Sequence, residues 1–457
     1  MRWRAAANMA APAQMQGCAN RLDTIWRRPR AAPHQPDRII VTASRTIPFI
    51  IATIFMDAVG FGIIMPVLPQ LVMEVGRIDL AHAIEVGAWI GLVMAVATFL
   101  ASPLLGNLSD RFGRRRVLLL ALAGLTADYI LLTVIDTLPW LFIARALSGL
   151  FGGSYAAAQA AIADVTRPED RARNFGFVGA AFGVGFVAGP VIGGFLGEIG
   201  PRAPFVAAAA LAAANMLYGL FIFPETLAPE RRRAFDWRRA NPLGAWQAMR
   251  ALPGMGGVAL VLLLWQIASL VYPMTWSFYC IAQLGWTPGM IGASLAAVGV
   301  MIALGQTFVV GPAVARFGER DAATLGLLVA VAIFIGFAFV RTTWGAFLLL
   351  IPVALQSPVQ PALMAMMSRR ATADTQGEVQ GISAMVMGLG QLVAPLLLTG
   401  TMAWFTGSNA PVHFPGAAFL VAALFGLFAA AMLRRLPRAA RGTDDETPAQ
   451  MPPSVTA

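Results

Sequence analysis

Long apolar runs alternate with short polar, arginine-bearing stretches along most of this chain. An α-helix needs about 20 mostly apolar residues to cross the hydrocarbon layer of a membrane. Twelve runs of that order are predicted, at about 47–72, 84–105, 116–136, 139–162, 173–197, 203–223, 254–281, 289–312, 321–340, 344–367, 378–404 and 414–434. They divide six and six around the polar segment 224–253. Lipid offers no partners to backbone N–H and C=O groups, so each run must satisfy its own and be helical. A barrel would show alternating residues, whereas these runs are unbroken. The predicted fold is all-α: twelve transmembrane helices in two six-helix, pseudo-symmetric bundles, 46–223 and 254–436, with 224–253 as central loop. The tails 1–45 and 437–457 lack helical periodicity and read as disordered.

The two sets of runs are related. Gly106, Arg111, Phe112, Gly113 and Arg115 recur as Gly311, Arg316, Phe317, Gly318 and Arg320, a shift of 205. The same shift carries Gly176, Gly183, Gly185 and Pro190 onto Gly381, Gly388, Gly390 and Pro395. One offset serving two separated regions implies a duplicated membrane unit, the plan of many transporters.

Composition agrees. Of 457 residues, 58% are hydrophobic and 12% charged, against about 25% charged in soluble domains. Mean hydropathy is +0.69. All 33 basic residues are arginine. Without lysine there is no Walker A site and no Schiff-base chemistry. His34, His82 and His413 are scattered and Cys18 and Cys280 isolated, so no metal site, cofactor or enzymatic activity is expected. The net charge of +10 suggests nucleic acid only if gathered on one soluble face. Here the arginines crowd alternate loops: Arg111 and Arg114 to Arg116, Arg167 to Arg173, Arg231 to Arg250, Arg316 and Arg320, Arg369 and Arg370. The intervening loops hold Arg77, Arg202 and Arg341. The positive-inside rule therefore predicts cytoplasmic termini and a cytoplasmic central loop in a multi-pass protein of the bilayer. No cleaved signal peptide is expected within 1–45.

Few charges fall inside the runs, and each costs about 2.5–3.5 kcal/mol at a helix centre on insertion scales. Asp57, Asp128 and Arg145 are the candidates for coupling protons to substrate. A carboxylate in a wet cavity can take up and release a proton, its affinity tuned by desolvation and by a nearby arginine. The alternative is a structural pair between Asp57 and Arg145. Asp164 reads equally as an ion pair to Arg167 or Arg171.

Two loop and helix motifs add mechanics. In Gly106–Arg116, Asp110 can pair with Arg111 or a neighbour or cap the next helix, while Gly113 permits the tight turn. With Arg114 and Arg115 this cluster is a candidate latch for a cytoplasmic gate. Gly185, Gly189, Pro190, Gly193 and Gly194 form a small-residue face for close helix approach. In the second half, Gln266, Trp276 and Gln306 are candidates for a wet cavity wall.

Together these stretches resemble the drug/proton antiporters of the major facilitator superfamily, and most closely the bacterial tetracycline-efflux proteins. The resemblance rests on Asp57 to Pro69, Gly106 to Arg116, the Arg145 segment and Gly185 to Gly194, and spans about 46–434. It implies export of a small-molecule drug for inward protons across the bacterial inner membrane, by a monomer that binds no nucleic acid. It also implies that the acids matching Asp57 and Asp128 serve transport and that Asp110 and Arg111 gate. The family substrate is a cationic magnesium chelate. Two departures bear on it: those pumps carry an acid where this chain has Ala330, and several a histidine where it has Ile302. A less acidic pocket should hold a cation less well. A transporter of a non-drug metabolite, or a transport-inactive ligand-binding membrane protein, remains the alternative.

Overall fold

The computed structural model describes residues 36–152, 154–235, 249–250, 252, 254–372 and 375–437, with side chains from Thr46 onward except at 154–156, 168 and 172. The two tails fall largely outside these residues, and the central loop partly so. The described residues are helical, without strands.

The first half runs α1 (Pro36–Ile64), α2 (Leu68–Gly76), α3 (Leu80–Phe112), α4 (Arg114–Val134), α5 (Leu138–Phe151), α6 (Ser154–Val165), α7 (Arg171–Ile199) and α8 (Ala203–Ile222). The second runs α9 (Met255–Ser269), α10 (Val271–Leu284), α11 (Pro288–Leu304), α12 (Val310–Phe339), α13 (Thr343–Leu350), α14 (Val359–Ser368), α15 (Gln376–Ala394), α16 (Gly400–Thr406) and α17 (Ala417–Arg435). π-helical turns join α11 to α12 and α15 to α16. Among the described residues, ten helical stretches are long and apolar enough to cross a membrane. One of these, Pro288–Phe339, has 52 residues. At 1.5 Å per residue it is about 78 Å long, more than twice a hydrocarbon core of about 30 Å. It is two passes turning at Gly318. The broken pair α5–α6 supplies one more, which brings the passes to twelve.

The duplication is written into the helix boundaries. Displaced by 205, the end of α1 at Ile64 becomes the end of α9 at Ser269, and the end of α4 at Val134 becomes that of α12 at Phe339. The starts of α5, α6 and α7 at Leu138, Ser154 and Arg171 become those of α13, α14 and α15 at Thr343, Val359 and Gln376. Gly113 has φ 101° and Gly318 φ 77°, a region that penalises a Cβ. Each lets two long helices meet in a tight turn. Arg111 lies over the Phe112 ring at 5.0 Å, and Arg316 over Phe317 at 5.6 Å. Prolines explain the breaks: Pro66 and Pro69 follow α1, and Pro352 and Pro358 flank the kink in the α13–α14 pass.

The halves touch at the arginine-poor face. There α7 packs on α1 within its own half and on α11 across the interface, while α3 packs against α15 and α16. Many side chains facing away from the bundle are large and apolar, such as Phe221 at 78% exposure and Trp344 at 87%. A bilayer, not water, suits that surface.

Candidate functional site

The glycine motif of α7 works on two surfaces. A Cβ at Gly185 would lie 2.6 Å from the Phe55 carbonyl oxygen, and one at Gly189 would lie 2.6 Å from that of Val59. One at Gly193 would strike the Ile63 carbonyl. These three seat α7 on α1. Gly194 faces the other half: its Cβ would come within 2.7 Å of the Pro288 carbonyl oxygen and 3.1 Å of Gly292 Cα. Gly292 in turn abuts the Pro190 carbonyl. Two hydrogen bonds reinforce this seam, Gly289 N donating to Glu198 Oε1 at 2.8 Å and Ser277 Oγ donating to Met65 O at 2.6 Å. Toward the arginine-rich face, Gly106, Gly176, Gly179, Gly183, Gly311, Gly377 and Gly381 have nothing near the Cβ position. The halves are therefore apposed at one face and parted at the other.

Between them lies a cavity of about 120 Å³. Phe61, Met65, Met94, Met274 and Phe278 supply its apolar wall, and Thr98, Ser277, Gln391 and Arg145 its polar groups. Arg145 is the one charged side chain among the described residues that line it. A larger hollow of about 470 Å³ opens on the arginine-poor face, beside Asp79, His82, Trp89 and Trp404. It lies away from the embedded charges. Asp79 caps α3 there, and the His82 backbone N–H holds its carboxyl below the usual carboxylate range.

Arg145 Nη2 reaches both carboxylate oxygens of Asp128, at 3.2 and 3.3 Å. Ser148 Oγ donates to the same carboxylate. Asp128 has no exposed surface and Arg145 only 5%. Asp128 thus sits behind Arg145 and meets the cavity through it, rather than lining the wall as the sequence suggests. The Arg145 Nε–H is buried without an acceptor. Asp57 is half-buried and accepts from Asn215 Nδ2 at 3.3 Å, while Thr53 Oγ1 donates to Asn215 Oδ1 at 3.0 Å. Arg145 forms an ion pair with Asp128.

At the arginine-rich face Arg114, not Arg111, is the hub. Its guanidinium donates to Asp110 Oδ1 at 2.6 Å, Ser109 Oγ at 3.0 Å and Asp164 Oδ2 at 3.0 Å. Its backbone N–H donates to Glu225 Oε1 at 2.8 Å, so Glu225 caps α4 and Asp110 does not. Arg115 Nη2 donates to the Leu220 carbonyl at 2.7 Å. Asp164 pairs with Arg114 in place of Arg167 or Arg171. The sequence reading does not single out Glu225 or Glu198. Glu225 stands in the chain just after α8, where a helix-capping role three passes back leaves no local signal.

In the second half the three predicted wall residues lie elsewhere. Trp276 is 1% exposed within an aromatic cluster with Tyr272, Tyr279, Phe337 and Phe419, and donates to Ser294 Oγ at 2.8 Å. Gln266 is buried against Gly390. Gln306 is exposed in the π-helical turn. The wall comes instead from Met274, Ser277 and Phe278, neighbours of Trp276 on another side of α10. Ala330 is fully buried and Ile302 is 38% exposed.

Residues 50–395 match the Major Facilitator Superfamily. The chain is 39% identical to the class C tetracycline resistance protein of Escherichia coli, over 84% of this chain and 96% of that one. It is 36% identical to the class B protein of Escherichia coli, over 75% and 84%. The solved nucleoside transporter NupG superposes with a TM-score of 0.70 over 86% of this chain and 98% of its own, at 13% identity, a likeness of fold. This chain is a multi-pass membrane transporter that belongs to the Major Facilitator Superfamily, in the same family as the tetracycline resistance proteins.

Proposed function

We propose that this protein exports a lipophilic, tetracycline-like drug across the bacterial inner membrane in exchange for protons. The observation that carries the reading is the 39% identity to a tetracycline resistance protein over 96% of its length. The geometry supports it: two repeats enclose a cavity walled by methionine and aromatic side chains, which suit flat apolar ligands. By the arginine distribution, the termini and the parted face are cytoplasmic, so the structure is an inward-facing state. Residues 46–223 and 254–436 rock as two bodies of one monomer about the seam at Gly194 and Gly292, with 224–253 as tether. Drug-sized ligands need about 300 Å³ or more, so the cavity of about 120 Å³ holds one end of the ligand and the open passage the rest.

Asp128 and Asp57 are the proton-carrying groups in this reading. When Asp128 takes a proton, Arg145 loses its counter-charge, and the charge of the cavity wall rises by one. Proton occupancy and ligand occupancy are thereby coupled at one side chain. Glycine motif and arginine hub serve the two gates: the glycines close the outer face, and the Asp110–Arg114–Asp164 cluster with Arg111 closes the inner one. Expression in a pump-deficient bacterial host tests the reading. The expected result is raised tolerance of tetracyclines and drug-dependent proton release from everted vesicles. Tolerance equal to that of the empty-vector control across tetracyclines, phenicols, quinolones and dyes overturns it.

A further inference from the structure

Helix α11 begins at Pro288, so its first backbone donor is the N–H of Gly289. The donors at a helix start have no partner inside the helix, and the N-cap side chain ordinarily takes one of them. Thr287 stands at the N-cap and is of a type suited to the task, yet its side chain makes no capping bond. The cap comes from the other half. Glu198 Oε1 accepts from Gly289 N at 2.8 Å, and the Thr287 hydroxyl donates to the same carboxylate. Glycine at 289 permits the approach, since a Cβ there would lie 2.8 Å from Glu198 Oε1. Glu198 itself stands in the last turn of α7, where the helix dipole disfavours an acid. The nearest arginine along the chain, Arg202, is occupied by Glu74 and by the carbonyls of Thr133 and Ile135. The carboxylate is therefore well placed only while the halves meet at this face.

We infer that Glu198 and Thr287 are positioning residues that exchange the cap of α11 as the outer face opens and closes. With the halves apposed, Glu198 caps α11 from α7. With them parted, Thr287 turns its hydroxyl back and caps its own helix, and Glu198 is left at the unfavourable end of its own. The start of α11 is thus capped in both positions, so opening does not strand the Gly289 N–H. What remains is a small bias toward closure, the difference between a charged cap and a neutral one. Two discrete arrangements of one side-chain pair follow the two positions of the gate. The inference rests on the reading of this seam as the outer gate and names the side chains that let it move at low cost.

The test uses the full-length protein with Met65→Cys as reporter in a Cys18→Ser background; Cys280 is buried. Met65 lines the central cavity, so a membrane-impermeant maleimide reaches position 65 from outside only when the outer face opens. In right-side-out vesicles Glu198→Ala is expected to label about threefold faster, as the bias toward closure is lost. Thr287→Val is expected to label about fivefold more slowly, because the open position loses its cap. In the absence of Glu198, Thr287→Val is expected to change nothing, since neither position then differs in capping. From the cytoplasmic side, in everted vesicles, labelling is expected not to rise in any variant. An unchanged or slower rate for Glu198→Ala overturns the inference. So does a rise from both sides alike, which is general loosening, or an equal effect of Thr287→Val with and without Glu198. Proton release separates the two claims: its absence on drug addition to wild-type everted vesicles defeats the exporter reading, whereas release that persists with labelling indifferent to Glu198 and Thr287 defeats this inference alone.

Discussion

The two halves share their helix boundaries to the residue at five places, yet they differ in chemistry. The first half buries an ion pair, Asp128–Arg145, with Ser148 attached. The second buries an aromatic cluster around Tyr272, Trp276, Phe337 and Phe419. The duplication therefore dictates geometry, and divergence within that frame dictates which half carries the buried ion pair. In the proposed exchange, the half with the charge in its wall is the proton sensor and the half with the aromatic scaffold its stiff counterpart.

The hardest blow to this contrast is Arg145→Ala. It strands the Asp128 carboxylate without a partner, which costs about 3–5 kcal/mol for a buried pair. Loss of the monodisperse detergent-solubilised protein is expected, with recovery in the double variant Arg145→Ala/Asp128→Asn. Equal thermal stability of all three proteins would show that the pair is not a structural unit. Next come Asp128→Asn and Asp57→Asn. Both are expected to reach the membrane at normal levels and to abolish proton-coupled transport in everted vesicles; full activity in both would remove the sensor role from the first half.

The seam offers a finer comparison. Gly194→Val is expected to hold the outer face open, since its side chain meets Pro288 and Gly292. Gly183→Val meets nothing in this state and should leave outer closure untouched. Accessibility of a cysteine placed at the seam distinguishes them, and equal labelling of the two variants would refute the assignment of faces. The smallest change is expected in the second half. Trp276→Phe loses the hydrogen bond to Ser294 and about 1 kcal/mol, seen as a small fall in melting temperature with transport intact.

Much of this is legible in the chain. The repeat at an offset of 205 shows in the glycines and prolines alone, because tight turns and close helix contacts admit few other residues. The sequence reading offers a partner for Arg145 only as an alternative, in Asp57, although a signal for Asp128 exists. Asp128 lies 8 residues before Asp136 and Arg145 lies 9 after it. In a hairpin of two antiparallel helices with a short loop, equal distance from the turn means equal depth. The second-half wall is misplaced for another reason: polarity marks Gln266, Trp276 and Gln306, but which side of a helix faces the cavity is set by packing against the other half. Glu198 and Glu225 act on helix ends distant in sequence, information that no local window contains.

The outer seam brings Pro190, Gly194 and Gly197 against Pro288, Gly289 and Gly292. Glycine and proline have no rotamers to lose. This doorway can therefore shut and reopen almost free of side-chain entropy, and the balance between its two positions is left to whatever occupies the chamber below.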